Sequence, residues 1–394
     1  MAIQAGVGIS KNKDPFQAGY EACKLALKSA GVEVPDLIIA FSSVSLNQEK
    51  VVLGIREAGS NALLIGASDA GEITNDGASK GGVAVMALKS DTVKFTVGTG
   101  GRIEENARIA GSELAKDITG KATDPIRLFI MLTDVLRGNG ADIVRGVQDV
   151  LGKDFLIVGG AAGDDFLFKE TYVYYLDKVL PSSITGVGLS GNFSTGIGVR
   201  HGWVPVGIPR TVTKSRGAVV QEIDGKPAIS LYEEYFGEKA AELKEETLAT
   251  LAITYPLGMN VDGSSELLIR DPITADDKGA ITFAAEIPEG SEVRIMIGSK
   301  DEAIAAARLA ATQAMSQLNG TEPKAAIIFN CIARSKLFGT DSDEEIKAIQ
   351  SVIGPSTPLI GFYTYGEQAP LGGKVVRPFS CFHNETAVIL LLGS

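Results

Sequence analysis

The chain has 394 residues, 45% of them hydrophobic and 22% charged, so its apolar content is ample for the cores of two or three domains. Its net charge of −11 opposes nucleic acid and anionic membranes as main partners, because both bind clustered Lys and Arg. No apolar run approaches the ~20 residues of a membrane span, and the first residues lack a signal-peptide pattern. Three widely spaced cysteines favour reduced thiols, so we expect a cytoplasmic protein without membrane insertion.

A pattern of apolar strand, helix and second apolar strand occurs three times, and each copy ends in glycine and an acid. Each copy predicts a βαβ unit, and uninterrupted apolar strands predict an α/β fold with mixed, largely parallel sheets covered on both faces. The copies span residues 36–72, 127–164 and 325–367, end at Glu72, Asp164 and Glu367, and have predicted helices at 49–59, 140–151 and 342–353.

The character of the chain changes between the second and third copies. Residues 171–225 predict short strands joined by Gly, Pro and Asn turns, and helices are predicted at 227–237 and 238–251. Further strands follow from 269, and 301–318 predicts an Ala-rich helix. We therefore predict a strand-rich insertion and two domains, 1–225 and 226–394.

The repeated strand ends indicate where a ligand would bind. Ligands of parallel sheets bind beyond the carboxyl ends of the strands, where glycines expose backbone N–H groups. Tyr363 and Tyr365, two positions apart, would project from one face and supply aromatic walls. The polar groups expected around them are Arg270, Arg334, Glu367 and Asn384, with ordinary core packing of the tyrosines as the alternative.

Two residues are candidate nucleophiles in an enzymatic alternative. Ser68 follows a strand in a segment one residue off the hydrolase G-x-S-x-G elbow, but the other copies carry Ala161 and Tyr363 there. Cys331 could act with His383 and Asn384, because a thiolate needs a neighbouring base. A buried, reduced Cys331 that lines a pocket is the favoured interpretation, and no enzymatic activity is expected.

The two histidines, His201 and His383, form no metal-ligand cluster with each other or with a cysteine, so no metal site is predicted. A single histidine can ligate haem, and His201 lies beside the only tryptophan. Haem therefore remains an alternative cofactor, with His201 or His383 as the axial ligand, whereas no other cofactor is expected.

The order and spacing of several segments give the chain a resemblance to the FIST proteins, named for F-box and intracellular signal transduction. In the N-terminal half the similar segments are LIGASDAGEI from Leu64, VGGAAGDD from Val158 and HGWVPVG from His201. In the C-terminal half they are RDP from Arg270, NCIAR from Asn330, LIGFYTYGE from Leu359 and FHN from Phe382.

The resemblance implies a cytoplasmic sensory module for a small ligand such as an amino acid. No output module is visible, so the signal would pass to a separate signalling protein such as a histidine kinase, and a homo-oligomer stays open. Glu367 would bind an amine, and Arg270 or Arg334 a carboxylate. Some relatives resemble nitric-oxide-responsive haem proteins that regulate histidine kinases, which makes a haem sensor the alternative function, and eukaryotic relatives use the module for protein recognition.

Overall fold

The structure is a computed structural model that describes residues 3–237, 253–262, 264–373 and 377–394. The helix predicted at 238–251 lies outside the described residues. Three similar repeats, which we call repeats 1, 2 and 3, make up most of the chain, and the second of them is followed by the first strand of the third and then by an insertion. In the part of the chain that is described, no helix combines the length and apolar character needed to cross a membrane.

Repeat 1 covers residues 4–89. The side chains of Asp14 and Asn47 accept backbone N–H groups at the starts of its two helices, and Gly31 ends the first helix with a φ of 67°. Its elements are β1 (Gln4–Ser10), α1 (Pro15–Ala30), β2 (Leu37–Ser43), α2 (Gln48–Gly59), β3 (Leu63–Asp69), β4 (Glu72–Thr74), β5 (Gly77–Ser79) and β6 (Val83–Lys89).

Repeat 2 covers residues 93–191 with the same order of elements. Asn139 caps its second helix, whose bounds coincide with the predicted 140–151. Its elements are β7 (Val93–Gly101), α3 (Ile103–Lys121), β8 (Ile126–Thr133), α4 (Gly140–Leu151), β9 (Ile157–Ala161), β10 (Val173–Tyr175), β11 (Lys178–Leu180) and β12 (Ser183–Gly191).

Repeat 3 begins with β13 (Ser194–Arg200), after which the chain enters the insertion, residues 204–297. The insertion forms its own sheet around a small apolar core, which confirms the predicted strand-rich segment. Its elements are β14 (Val204–Arg216), β15 (Val219–Ile223), β16 (Lys226–Pro227), α5 (Ile229–Phe236), β17 (Leu257–Met259), β18 (Leu268–Arg270), β19 (Pro272–Ala275), β20 (Ile281–Phe283) and β21 (Glu292–Ile297).

The rest of repeat 3 follows the insertion. Ser299 caps its first helix, and the last helix has the predicted bounds 342–353. The elements are α6 (Lys300–Gln317), β22 (Pro323–Cys331), α7 (Ile332–Phe338), the 3-10 turn Gly339–Asp341, α8 (Ser342–Ile353), β23 (Leu359–Thr364), β24 (Glu367–Leu371), β25 (Arg377–His383) and β26 (Ala387–Gly393).

Each repeat gives one two-stranded hairpin to the sheet of another repeat. We call the sheets built mainly by repeats 1, 2 and 3 sheets 1, 2 and 3. The hairpin β4–β5 of repeat 1 joins sheet 3, β10–β11 of repeat 2 joins sheet 1, and β24–β25 of repeat 3 joins sheet 2. Sheets 2 and 3 thus combine strands from both sides of residue 225, where the domain boundary is predicted. The strand orders are β1-β6-β2-β3-β10-β11 in sheet 1, β7-β12-β8-β9-β24-β25 in sheet 2 and β13-β26-β22-β23-β4-β5 in sheet 3.

The α/β fold with mixed sheets is confirmed, and sheets 1, 2 and 3 each contain one parallel pair. The pairs β2–β3, β8–β9 and β22–β23 are parallel, and each is the βαβ unit that the repeated pattern predicts. The neighbours of these pairs are antiparallel. Parallel pairing is thus confined to the βαβ units. The apolar runs in the sequence indicate strands that are buried on both faces, but they carry no information on strand direction.

The inner faces of the three sheets share one apolar core. Phe41 of sheet 1 stacks on Phe362 of sheet 3 with ring centroids 4.2 Å apart, and Phe329 meets the same ring edge-on. The helices cover the outer faces and bury a separate apolar layer over each sheet. Each sheet is therefore covered on both sides.

A Gly-x-Gly pair on the first strand of each repeat admits the first helix. A Cβ atom added at Gly8, Gly100 or Gly198 would lie 2.3, 2.1 or 1.8 Å from a backbone oxygen of the helix. Larger residues would force the helices away from the sheets. Glycines at these positions thus allow close packing of the helices on the sheets.

Candidate functional site

Backbone hydrogen bonds join the ends of β3, β9 and β23, the second strands of the three βαβ units, into a ring. Each bond runs from the loop after one strand to the matching position of another repeat. The bonds run from Gly163 N to Ser68 O, from Ala70 N to Tyr363 O and from Tyr365 N to Ala161 O, with lengths of 3.0, 3.2 and 3.1 Å. The edge where the sequence predicts ligand binding is therefore fixed by contacts among all three repeats.

Two of the three acids expected at equivalent strand ends occupy matching positions. Glu72 and Glu367 each begin a hairpin that joins another sheet. The corresponding position in sheet 1 belongs to Val173, so the expectation is wrong for Asp164. Asp164 lies in the preceding loop, where its carboxylate accepts backbone N–H groups.

Glu72 and Glu367 also have matching hydrogen-bond partners. Glu72 accepts the N–H of Gly82 at 2.7 Å, and Glu367 accepts the N–H of Thr386 at 3.2 Å together with the hydroxyl of Thr364. Glu367 is fully buried, and desolvation raises its pKa well above the ordinary value. Its partners identify it as a residue that fixes the start of the last strand.

A cavity of about 70 Å³ lies next to Glu367 at the end of β22, and we call it the Cys331 cavity. Its walls come from the insertion and from repeats 2 and 3. They combine apolar side chains, three aromatic rings and a group of polar side chains. It is lined by Phe166, Phe168, Ile253, Asp271, Ile273, Ala284, Cys331, Ile332, Ala333, Tyr365, Asn384 and Glu385. This mixture is typical of small-ligand sites.

The polar wall of the Cys331 cavity is acidic. Asp271 and Glu385 are in side-chain contact, and burial raises the pKa of both carboxyls. No described residue gives a hydrogen bond to either oxygen of Glu385, to Asp271 Oδ1 or to Asn384 Oδ1. Buried acceptors of this kind normally receive a hydrogen bond, so this wall is suited to a ligand that supplies hydrogen-bond donors.

The backbone of Glu385 is held in an uncommon conformation. Its φ of 58° lies in the left-handed region, which costs free energy for a residue with a Cβ atom. Arg334 donates to the carbonyl of Glu385 at 3.1 Å and to Glu345 Oε1 at 2.8 and 2.5 Å. The fully buried Arg334–Glu345 pair therefore stabilises the turn that directs Glu385 into the cavity.

The carboxylate-binding role expected for arginine has little geometric support. The remaining N–H groups of Arg334 donate to the carbonyls of Ala303 and His201. Arg270 donates to the carbonyls of Glu286, Ile269 and Phe382 and lines a different cavity beside Cys381. Neither guanidinium lines the Cys331 cavity.

The loop between β9 and β10 covers one side of the Cys331 cavity, and we call it the lid loop (residues 162–172). Phe168 stacks on Tyr365 at a centroid distance of 5.0 Å, and the Tyr365 hydroxyl donates to Asp164 and accepts Phe166 N at 2.6 Å. Asp165, Phe166 and Phe168 all have positive φ. The lid loop is thus a strained segment fixed by the Asp164–Tyr365 contact.

The candidate nucleophiles lie in settings that oppose ionisation or attack. Burial, with Glu367 and Glu385 nearby, raises the pKa of the Cys331 thiol well above its ordinary value. His383 Nε2 is hydrogen-bonded to Ala369 O at 3.1 Å. The Ser68 hydroxyl donates to Gly163 O and accepts Tyr172 N, both at 3.0 Å, so it bridges two repeats.

The histidine environment does not fit an axial haem ligand. His201 and His383 line one cavity of about 10 Å³, far below the ~300 Å³ or more of cofactor pockets. His201 Nδ1 accepts Trp203 N at 2.9 Å, and burial lowers the pKa of His383 to about 3. No described group of three or more His, Cys, Asp or Glu side chains is arranged for a metal ion.

Of the residues predicted to contact a ligand, Cys331, Tyr365 and Asn384 line the Cys331 cavity. The other predicted residues do not line it; Tyr363, for example, is buried beside Ser335 and Ser342 of the helical layer. The site residues that sequence reasoning missed are Phe166, Phe168, Asp271 and Glu385. Asp271 and Glu385 directly follow the predicted Arg270 and Asn384, which is the one signal that could have revealed them.

Comparison with known proteins finds relatives that align over the whole chain. An uncharacterized protein of Mycobacterium tuberculosis is 28% identical over 99% of both chains, and one of Mycobacterium bovis is 26% identical over 99% of this chain and 98% of its own. An uncharacterized protein of Methanocaldococcus jannaschii is 26% identical over 73% of this chain and 58% of its own.

Among solved structures, a cyanuric acid hydrolase from A. caulinodans covers all of this chain and 99% of its own, with 8% identity and a TM-score of 0.38. The family models give the decisive result. Residues 36–226 match the FIST N domain and residues 228–370 match the FIST C domain. The chain belongs to the FIST family of signal-transduction sensory domains.

Proposed function

We propose that the protein senses a small molecule that binds in the Cys331 cavity. The observation that carries this proposal is the combination of aromatic and apolar walls with buried acceptors of Asp271, Asn384 and Glu385 that no described residue satisfies. Binding, with no catalytic step, is the proposed activity, because the Cys331 thiol and the Ser68 hydroxyl both lie in unreactive environments.

The lid loop is the proposed means by which binding becomes a signal. It contacts the cavity through Phe166 and Phe168, while Leu167 and Phe168 are also 55% and 44% exposed. A ligand that contacts the inner side of this loop would change the surface it presents outside. We propose that a separate signalling protein in the cytoplasm reads that surface.

Thermal unfolding of the full chain with a panel of amino acids, amines and carboxylates tests the proposal. We expect at least one compound to raise the melting temperature, since a ligand that binds only the folded state stabilises it. Ala284→Leu, which places a larger side chain at a partly buried wall of the cavity, should abolish that rise. Ala275→Leu, at the end of β19 and outside the cavity, is an equally partly buried alanine of the insertion; it is the matched control and should retain the rise. A rise that survives Ala284→Leu would contradict the proposed site.

A further inference from the structure

The side chains that line the Cys331 cavity define the charge of its ligand. Two carboxyls, Asp271 and Glu385, and one amide, Asn384, form its polar wall, and the described residues that line it include no Lys, Arg or His. Among these residues a ligand carboxylate would meet acids of its own sign and no cationic partner, whereas a ligand cation would meet complementary charge. The charge of the cavity therefore disfavours amino acids and favours ligands that carry a positive charge and no negative charge.

The acceptors on this wall also match one kind of cation. Asp271 Oδ1, Asn384 Oδ1 and the Glu385 oxygens are acceptors for which the described residues provide no donor. Glu385 and Asn384 are 0% and 1% exposed, so water satisfies these atoms poorly. A primary ammonium group has three N–H donors and no acceptor, so one such group can satisfy all three side chains.

The apolar walls and the volume limit the rest of the ligand. A cavity of about 70 Å³ is roughly half of the ~150 Å³ that accommodates benzene in an apolar protein cavity. It has room for an ammonium head and a few carbons. The stacked rings of Phe168 and Tyr365 offer a surface for those carbons and a favourable face for positive charge.

From these contacts we infer that the ligand is a small primary amine without a carboxylate, held through its ammonium group by Asp271, Asn384 and Glu385. This inference rests on the proposed function, because it names the ligand class of the same cavity. The Arg334 contact to the Glu385 carbonyl presents the acid to the ammonium group, and Arg334 itself does not touch the ligand.

Calorimetric titration of the full chain with ethylammonium, glycine, propionate and tetramethylammonium tests the inference. Ethylammonium should bind at least 10-fold more tightly than each of the others, because only it combines positive charge, N–H donors and no carboxylate. Glu385→Gln should weaken ethylammonium binding about 10- to 100-fold, and Glu289→Gln, on an exposed turn, should leave it unchanged.

The outcomes separate this inference from the proposed function. Tighter binding of glycine or propionate, blocked by Ala284→Leu, would overturn the ammonium inference and keep the cavity as the sensing site. Tetramethylammonium that binds as tightly as ethylammonium would overturn the role of the N–H donors. Ethylammonium binding that persists in both Ala284→Leu and Glu385→Gln would overturn both proposals. Binding of none of the four probes would overturn the inference alone, since the panel of amino acids, amines and carboxylates tests the cavity separately.

Discussion

Arg334 Nη1 donates a hydrogen bond of 3.1 Å to the backbone carbonyl of Glu385, and the same guanidinium is paired with the fully buried Glu345. The bond joins the first helix turn after β22 to the strained turn before β26. The position of the acid in the cavity thus depends on a buried ion pair that does not itself line the cavity.

Loss of Arg334 should destabilise the fold strongly. Arg334→Ala would leave Glu345 as a buried, unpaired carboxylate and remove a donor from Glu385 O, so we expect a loss of about 3–5 kcal/mol in the free energy of unfolding. Urea unfolding measures this loss. The exposed Arg308→Ala is the control and should change the same quantity by no more than about 0.5 kcal/mol. A loss below about 1 kcal/mol for Arg334→Ala would contradict the structural role.

Glu72 and Glu367 should have similar structural effects when replaced. Each accepts the backbone N–H that precedes the last strand of its repeat, so Glu72→Ala and Glu367→Ala should each cost about 1–3 kcal/mol of unfolding free energy. Chemical denaturation of both variants provides the measurement. If Glu367→Ala left stability intact and removed only ligand binding, the direct amine-binding role predicted from sequence would be supported instead.

The raised pKa values of Asp271 and Glu385 make amine binding depend on pH. Burial is the largest cause of both shifts. The charge of Asp271, and after it that of Glu367, adds to the rise in the pKa of Glu385, which Arg334 opposes. Contact with Glu385 and the charge of Arg270 oppose the rise in the pKa of Asp271. An ammonium group requires ionised carboxylate, so ethylammonium affinity should rise as pH increases from 5 to 8. Calorimetry in buffers of different ionisation enthalpy should show proton release.

The same shift has the opposite effect on stability. The pKa of Glu385 is raised in the folded state, whereas a glutamate in the unfolded chain has a pKa of about 4.3. As the pH rises above that value, the unfolded chain loses this proton while the folded state keeps it. The free energy of unfolding therefore falls as the pH rises. Glu385→Gln removes this contribution. Its stability relative to the unmodified chain should therefore increase between pH 5 and pH 8 in urea unfolding, and an unchanged or decreasing difference would contradict the raised pKa.

The lid loop should open when its anchor is removed. Tyr365→Phe deletes the hydroxyl that accepts Phe166 N and donates to Asp164, so the amide of Phe166 should exchange with solvent at least 10-fold faster. Hydrogen exchange followed by mass spectrometry measures this. Tyr235→Phe, on the exposed side of α5, should leave lid exchange unchanged.

Local sequence patterns predicted much of the fold but little of how its parts pair. The repeated pattern of apolar strand, helix and apolar strand placed α4 and α8 at their observed bounds, because such patterns act over a few residues. The exchange of hairpins joins Glu72 to Phe362, nearly three hundred residues apart in the chain, and no local pattern encodes that pairing.

The candidate site shows the same division. Strand ends and aromatic residues pointed to Cys331, Tyr365 and Asn384, which line the cavity. The sequence could not separate Arg334, whose donors face protein carbonyls, from an arginine that binds a ligand. Nor could it reveal that Glu385 adopts a positive φ, since that conformation is imposed by tertiary contacts.

The most direct test of the account is a titration of the full chain with ethylammonium, in which calorimetry compares the unmodified protein with Ala284→Leu and Ala275→Leu. If a small amine binds in the Cys331 cavity, we expect saturable binding at one site per chain in the unmodified protein and in Ala275→Leu, and none in Ala284→Leu. Equal binding in all three proteins would show that the Cys331 cavity is not where the ligand is sensed.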